Sequence, residues 1–190
     1  FETTLLYWEI DAKIFGYVEK YFAPKNVRKY YRKIFKIRLR MDEIIWHFKS
    51  FEELTSKELY KIIQLRNDVF VIEQDCIYQD ADGKDFKCGH LWATIQDEVV
   101  AYSRIVPQGI SYENEPSIGR VITNPKFRRY GLGKQLMKNS VQVIENQFKT
   151  SSIRISAQSY LKEFYSTFGF KQVSEEYLED DIPHIEMLRK

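Results

Sequence analysis

Six consecutive residues have the types and spacing to hold a phosphate: Arg128-Arg129-Tyr130-Gly131-Leu132-Gly133, with Lys134 next. Residues 118–123 before them read as a buried strand, and Asn124-Pro125 as its break. Residues 131–147 read as an amphipathic helix, with Leu132, Leu136, Val143 and Ile144 apolar. A helix start presents unpaired N–H groups and the positive end of a dipole, which suit an anion. Glycines let the backbone come close, since no Cβ stands in the way. Arg128, Arg129 and Lys134 add positive charge there. Two commoner phosphate loops are excluded. A Walker loop needs Ser or Thr after Gly-Lys, but Gln135 follows Lys134. A dinucleotide fingerprint needs a third glycine where Leu136 stands. The plain alternative for a lone Gly-x-Gly is an ordinary helix entry.

The elements that must position this turn alternate from Met41 onward. Residues 44–48 read as a short strand. Ser56 caps a helix running to about residue 71, with Leu59, Ile62, Ile63, Val69 and Phe70 inward. Residues 73–88 form an acidic loop, and 107–116 a loop bearing Pro107, Gly109 and Pro116. Strands are expected at 90–96 and 99–106, joined by a tight turn at Asp97-Glu98, and again at 153–157, 170–173 and 184–188. A further helix covers 160–167. The pattern predicts an α/β fold with a mixed sheet, one core and both faces covered.

At 190 residues and 44% hydrophobic content the chain suits one α/β domain, with or without an appendage. A mean hydropathy of -0.45 fits a soluble globular protein, and no apolar run is long enough for a membrane span. The start lacks the basic-then-apolar pattern of a signal peptide. Two cysteines, Cys76 and Cys88, make no disulfide framework, so a reducing cytoplasm is expected. The net charge of +2 conceals an asymmetry. Residues 1–40 hold ten Lys/Arg against four Asp/Glu, while 41–190 hold nineteen against twenty-three. We therefore read 1–40 as a basic, aromatic, helical extension divided by Pro24, and 41–190 as the domain, with Met41 as its natural start. Such an extension can lie on an acidic membrane or on nucleic acid. Its plainer roles are packing on its own domain or forming a dimer arm.

A second signature lies at Phe164-Tyr165-Ser166-Thr167-Phe168-Gly169-Phe170. Together, Arg128, Gly131 and Gly133 with Tyr165, Gly169 and Phe170 resemble the two signatures of the GNAT N-acetyltransferase superfamily, in its order. Over about residues 44–189 the chain also resembles the bacterial ElaA-like subfamily. The similar segments include Val69-Phe70-Val71-Ile72-Glu73-Gln74, Tyr78-Gln79-Asp80-Ala81-Asp82-Gly83, Ala157-Gln158 and Asp181-Ile182-Pro183-His184-Ile185.

The resemblance implies a mostly antiparallel sheet with helices on both faces and an acyl-CoA cleft between two splayed strands, 118–123 and 153–157. It implies acetyl-CoA as cofactor, CoA as product, and the primary amine of a small molecule or peptide as acceptor. Val121, Ile122 and Thr123 would meet the pantetheine arm. Arg128 and the N–H groups of Arg129, Tyr130, Gly131, Leu132, Gly133 and Lys134 would hold the pyrophosphate. Tyr165 would face the cofactor sulfur as proton donor; its plain alternative is an aromatic core residue. The amine must lose a proton to attack, and Glu73 is the first-ranked base, ahead of Asp80, Asp82, Glu115 and the histidines. Its alternative is an ion pair with Arg66 or Arg120.

Arg66, Gln74, Asp80, Asp82, His90, Arg120, Gln158 and His184 are expected on the acceptor side, with tying down the acidic loop as the alternative for Asp80, Asp82, His90 and His184. Arg66, Arg104 and Arg120 either neutralise its acids or bind an acceptor carboxylate. The loop is no EF-hand, since Asp85 and Leu91 stand where Gly and Glu are needed. Cys76, Cys88 and His90 match no zinc spacing, so no metal is assigned. No nucleic acid is expected on the core domain, and a homodimer is left open. Two other functions remain in view: an acyl-CoA sensor, and nucleic-acid or membrane binding through 1–40.

Overall fold

A computed structural model describes residues 43–190, of which Ile44–Lys190 form one compact unit. The expectations placed on residues 1–42 lie outside the described residues. Eight strands form one sheet: β1 (Ile45–Ser50), β2 (Gly89–Ile95), β3 (Glu98–Val106), β4 (Ser117–Thr123), β5 (Ile153–Gln158), β6 (Lys171–Gln172), β7 (Tyr177–Glu179) and β8 (Ile182–Arg189). The order is β1-β2-β3-β4-β5-β8-β6, with β7 also on β8. Every neighbouring pair is antiparallel except β4 and β5. The parallel step follows from the crossover helix between them, α2 (Leu132–Phe148). Two further helices are α1 (Ser56–Arg66) and α3 (Lys162–Ser166).

The helices cover opposite faces, and β3 shows why. Tyr102 joins the cluster of Ile62, Leu65, Val69, Trp92, Val99 and Ile122 beneath α1. Its neighbour Ser103 points the other way, its Oγ 2.8 Å from Ser140 of α2. Buried on both sides, β3 has no polar face to alternate. Truncating Ile62, wholly buried, to Ala is worth about 2–5 kcal/mol.

Several boundaries differ from expectation for local reasons. Thr55 caps α1 in place of Ser56, because Glu58 then stands three residues on and completes a capping box. The α-helix ends at Arg66, and the chain winds on as a wider π-turn through Asn67–Glu73, closed by Gln74 N–H donating to Val69 O at 3.2 Å. The β2–β3 turn falls at Gln96-Asp97, one residue early, where both residues adopt positive φ (48° and 67°) as a two-residue hairpin requires. The expected helix 160–167 splits into a short 3-10 turn (Ser159–Leu161) and α3.

Candidate active site

β4 departs from β5 almost at once. The two pair at a single position, Ser117 with Arg154. The cause is a bulge: along β3 the register advances two residues from Tyr102 to Arg104, while β4 advances three from Gly119 to Ile122. Arg120 sits in that bulge at φ 52°. An extra residue bends its strand, so β4 swings off β5. The gap opens as a cleft of about 720 Å³. Val121, Ile122, Thr123, Arg128, Glu73 and Tyr165 are among its walls.

The glycine-rich turn stands at the end of β4. Arg129 (φ 71°) and Gly131 (φ 79°) both take the left-handed conformation. A methyl carbon built on Gly133 would stand 3.8 Å from Phe164 Cζ and 4.0 Å from Thr123 Cγ2. The turn, the end of β4 and α3 therefore meet at Gly133. Leu132 buries its side chain under α2, so it can offer a ligand only its backbone. Lys134 N–H already donates to Gly131 O at 3.1 Å, which narrows the expected cradle: its uncommitted donors end at Gly133. Arg128 Nε donates to Thr123 O at 3.3 Å, so that carbonyl also has a partner.

Tyr165 is almost wholly buried, and its hydroxyl has no hydrogen-bond partner among the described residues. Burial pushes its phenol well above the ordinary value. Gly169 (φ 87°) turns the chain out of α3 and returns Phe170 to Tyr165, ring centres 6.3 Å apart. That is the physical sense of a Tyr four residues before Gly-Phe.

Glu73 faces the cleft, paired with neither Arg66 nor Arg120. Both its oxygens accept from Arg128, one from Nη2 at 2.8 Å.

Arg66, Asp80 and His90 correct the acceptor-side expectation, because all three are buried and none lines the cleft. Arg66 Nε donates to Asp80 at 2.6 Å, and Nη1 to Asp85 at 2.9 Å. Arg104 donates to Asp82 at 2.7 and 2.8 Å and to Asp85 at 3.1 Å. Arg120 Nε donates to Asp80 at 2.6 Å. Three guanidiniums thus cancel three carboxylates, which removes the expected acidity of this loop. Burial opposes ionisation of Asp82 and Asp85, but their arginine bonds outweigh it and hold both below the usual carboxylate range. His90 Nε2 donates to Asp85 O at 3.2 Å, so Nδ1 accepts from Tyr102 Oη at 2.9 Å. Burial holds this ring neutral by lowering its pKa. The cluster ties the loop down on α1, β3 and β4.

Gln74, Asp82, Arg120, Gln158 and His184 do line the cleft. Sequence reasoning missed Ser156, Tyr177 and Glu179 on its wall. The alternation Tyr177-Leu178-Glu179 beside Ser156-Ala157-Gln158 was the available signal, and it is short.

Comparison with known proteins agrees with this geometry. The family described as acetyltransferase (GNAT) domain matches residues 56–190. The chain belongs to the GNAT acetyltransferase family. A UPF0039 protein of Schizosaccharomyces pombe is 40% identical over 149 residues, 77% of this chain and 97% of its own. Among solved structures, an acyl-CoA N-acyltransferase from Pseudomonas aeruginosa superposes with a TM-score of 0.74 at 42% identity, covering 77% of this chain and 99% of its own. Escherichia coli ElaA superposes with a TM-score of 0.73 at 39% identity, covering 77% and 99%.

Proposed function

We propose that this protein transfers an acetyl group from acetyl-CoA to a primary amine of a small molecule or peptide, within a catalytic domain spanning 41–190. The observation that carries this reading is the single-rung contact between β4 and β5, which leaves a cleft lined by Val121, Ile122, Thr123 and, at the entry to the glycine-rich turn, Arg128. The fit is physical: β4 has an unpaired edge for the pantetheine amides, and the helix start has free N–H groups with Arg128 and Arg129 beside them. Gly131 supplies the left-handed bend that aims those groups outward. When bound, acetyl-CoA supplies the activated acyl group.

The chain's own residues do the rest. Val121, Ile122 and Thr123 position the thioester along β4. Tyr165, kept protonated by burial, donates to the departing sulfur. Phosphates on Arg128 compete with its carboxylate partner and free Glu73, which then takes the proton that the ammonium must lose. The nitrogen lone pair would attack the carbonyl carbon as the C–S bond breaks; the thiolate would take the Tyr165 proton, and the second proton that the nitrogen sheds on becoming an amide would restore the phenol.

Calorimetry with acetyl-CoA tests the reading. The wild type is expected to bind at micromolar concentrations, and Arg128→Glu with Gly131→Trp to abolish the heat. A folded wild type that fails to bind would overturn it.

A further inference from the structure

We propose that Glu179, held by Ser156 beside Tyr177, selects a cationic primary amine as acceptor. This rests on the acetyl-transfer reading and names what its acceptor end recognises. Three carboxylates line the cleft: Glu73, Asp82 and Glu179. Arg128 bridges the first and Arg104 the second. Glu179 has no cationic partner among the described residues. With the loop aspartates neutralised, it carries the unbalanced negative charge of this wall.

Its hydrogen bonds run one way. Ser156 Oγ donates its single hydrogen to Glu179 Oε2 at 2.8 Å. The 2.6 Å contact between Ser156 Oγ and Tyr177 Oη must therefore have Tyr177 as donor. That spends both hydroxyl hydrogens and fixes the carboxylate by one oxygen. The other oxygen, Oε1, is left as a charged acceptor. His184, stacked on Tyr177 at 6.2 Å and 26°, donates from Nδ1 to Ile182 O at 2.8 Å. In its neutral form Nε2 is then an acceptor too. The unspent valences of Glu179 and His184 are thus acceptors, and the Gln158 carboxamide beside them carries both kinds, a set matched by a group that brings several N–H donors and a positive charge. A primary ammonium does so, whereas a carboxylate or phosphate would meet repulsion.

The backbone places this wall at the reacting end. Arg154, Ser156 and Gln158 share one face of β5, opposite buried Ile153, Ile155 and Ala157. Arg154 closes the rung with β4, so Ser156, two residues on, stands where the strands have parted. Ser156, Tyr177, Glu179 and Tyr165 all border the same cleft.

The test is steady-state kinetics on the full chain with acetyl-CoA and four acceptors: 1,5-diaminopentane, spermidine, butylamine and lysine methyl ester. Glu179→Gln keeps the shape and removes the charge. Its KM for the accepted amines is expected to rise about tenfold or more, with kcat within about threefold, as loss of a charged hydrogen bond implies. Ser156→Ala, which acts through Glu179, should raise KM about threefold. The KM for acetyl-CoA is read in the same assay. An unchanged amine KM in Glu179→Gln, or an equal rise in both KM values, would overturn the inference and leave acetyl transfer standing. Failure of the wild type to acetylate any of the four would overturn both.

Discussion

Glu73 and Arg128 meet as a two-pronged ion pair, joining the π-turn to the phosphate turn across 55 residues of sequence. The base and the phosphate-binding arginine of the proposed mechanism therefore hold each other in this structure. Glu73→Gln is expected to lower kcat about 100-fold, the scale of a lost general base. The same change frees Arg128 and should tighten CoA binding about two- to fivefold, the worth of an exposed pair. Opposite signs in kinetics and calorimetry are the signature. Unchanged kcat would remove Glu73 from the chemistry.

Tyr165→Phe deletes a hydroxyl that holds nothing else in place. We expect kcat to fall at least about tenfold, with thermal stability unchanged or slightly raised. Because burial raises the phenol above its ordinary value of 10.0, wild-type activity should show no falling limb from this group below that pH. A drop in stability without a drop in kcat would mark Tyr165 as packing alone.

Arg66 bridges two carboxylates with no exposure of its own. Arg66→Met leaves Asp80 and Asp85 one cation short, and should cost about 3–5 kcal/mol in urea unfolding. A loss below about 1 kcal/mol would show that the remaining arginines re-pair with both.

Stability should fall with acid in two stages. His90 and His47 are held below their ordinary value of 6.5 by burial, so the unfolded chain takes up protons first as pH drops through that value. Asp82 and Asp85 are held below their ordinary 3.8, so their contribution is complete above that value and is lost as pH falls below it. Melting temperature measured from pH 8 to 3 should show a shallow limb and then a steep one. His90→Gln should flatten the first without abolishing it, since His47 remains.

Gly131 and Gly133 serve different needs. Gly131→Ala forces a side chain into φ 79° and should cost about 1 kcal/mol. At Gly133 a methyl group finds ordinary contact distances, 3.8 and 4.0 Å, so Gly133→Ala should leave stability nearly unchanged. Thermal melts of the two variants decide this.

The sequence revealed features with a local cause. Gly131, Gly133 and the Tyr165–Gly169–Phe170 spacing are such features, as are the apolar periodicities that placed α1, α2 and seven of the eight strands. Features with a distant cause stayed hidden. Nothing in Arg120 announces φ 52°, because the bulge answers to the register of β3. Arg66, Asp80 and His90 have the chemistry of a binding site, and only burial shows that they satisfy one another. β7 is three residues long and exists by pairing with β8, so Glu179 carried no pattern of its own. Thr55 was legible, since Thr-x-x-Glu is a capping box, but the hydroxyl next to it competed.

The single rung between β4 and β5 also makes the sheet a structure with a seam. Six strand pairings carry two or more rungs each, while the middle is sewn at one stitch. A ligand with amides spaced like a peptide would complete that ladder as a missing strand does. Its arrival should slow amide hydrogen exchange along β4 and β5 on both sides of the gap. In that sense the proposed co-substrate would finish the fold before it reacts, and the protein would release it only by coming slightly undone.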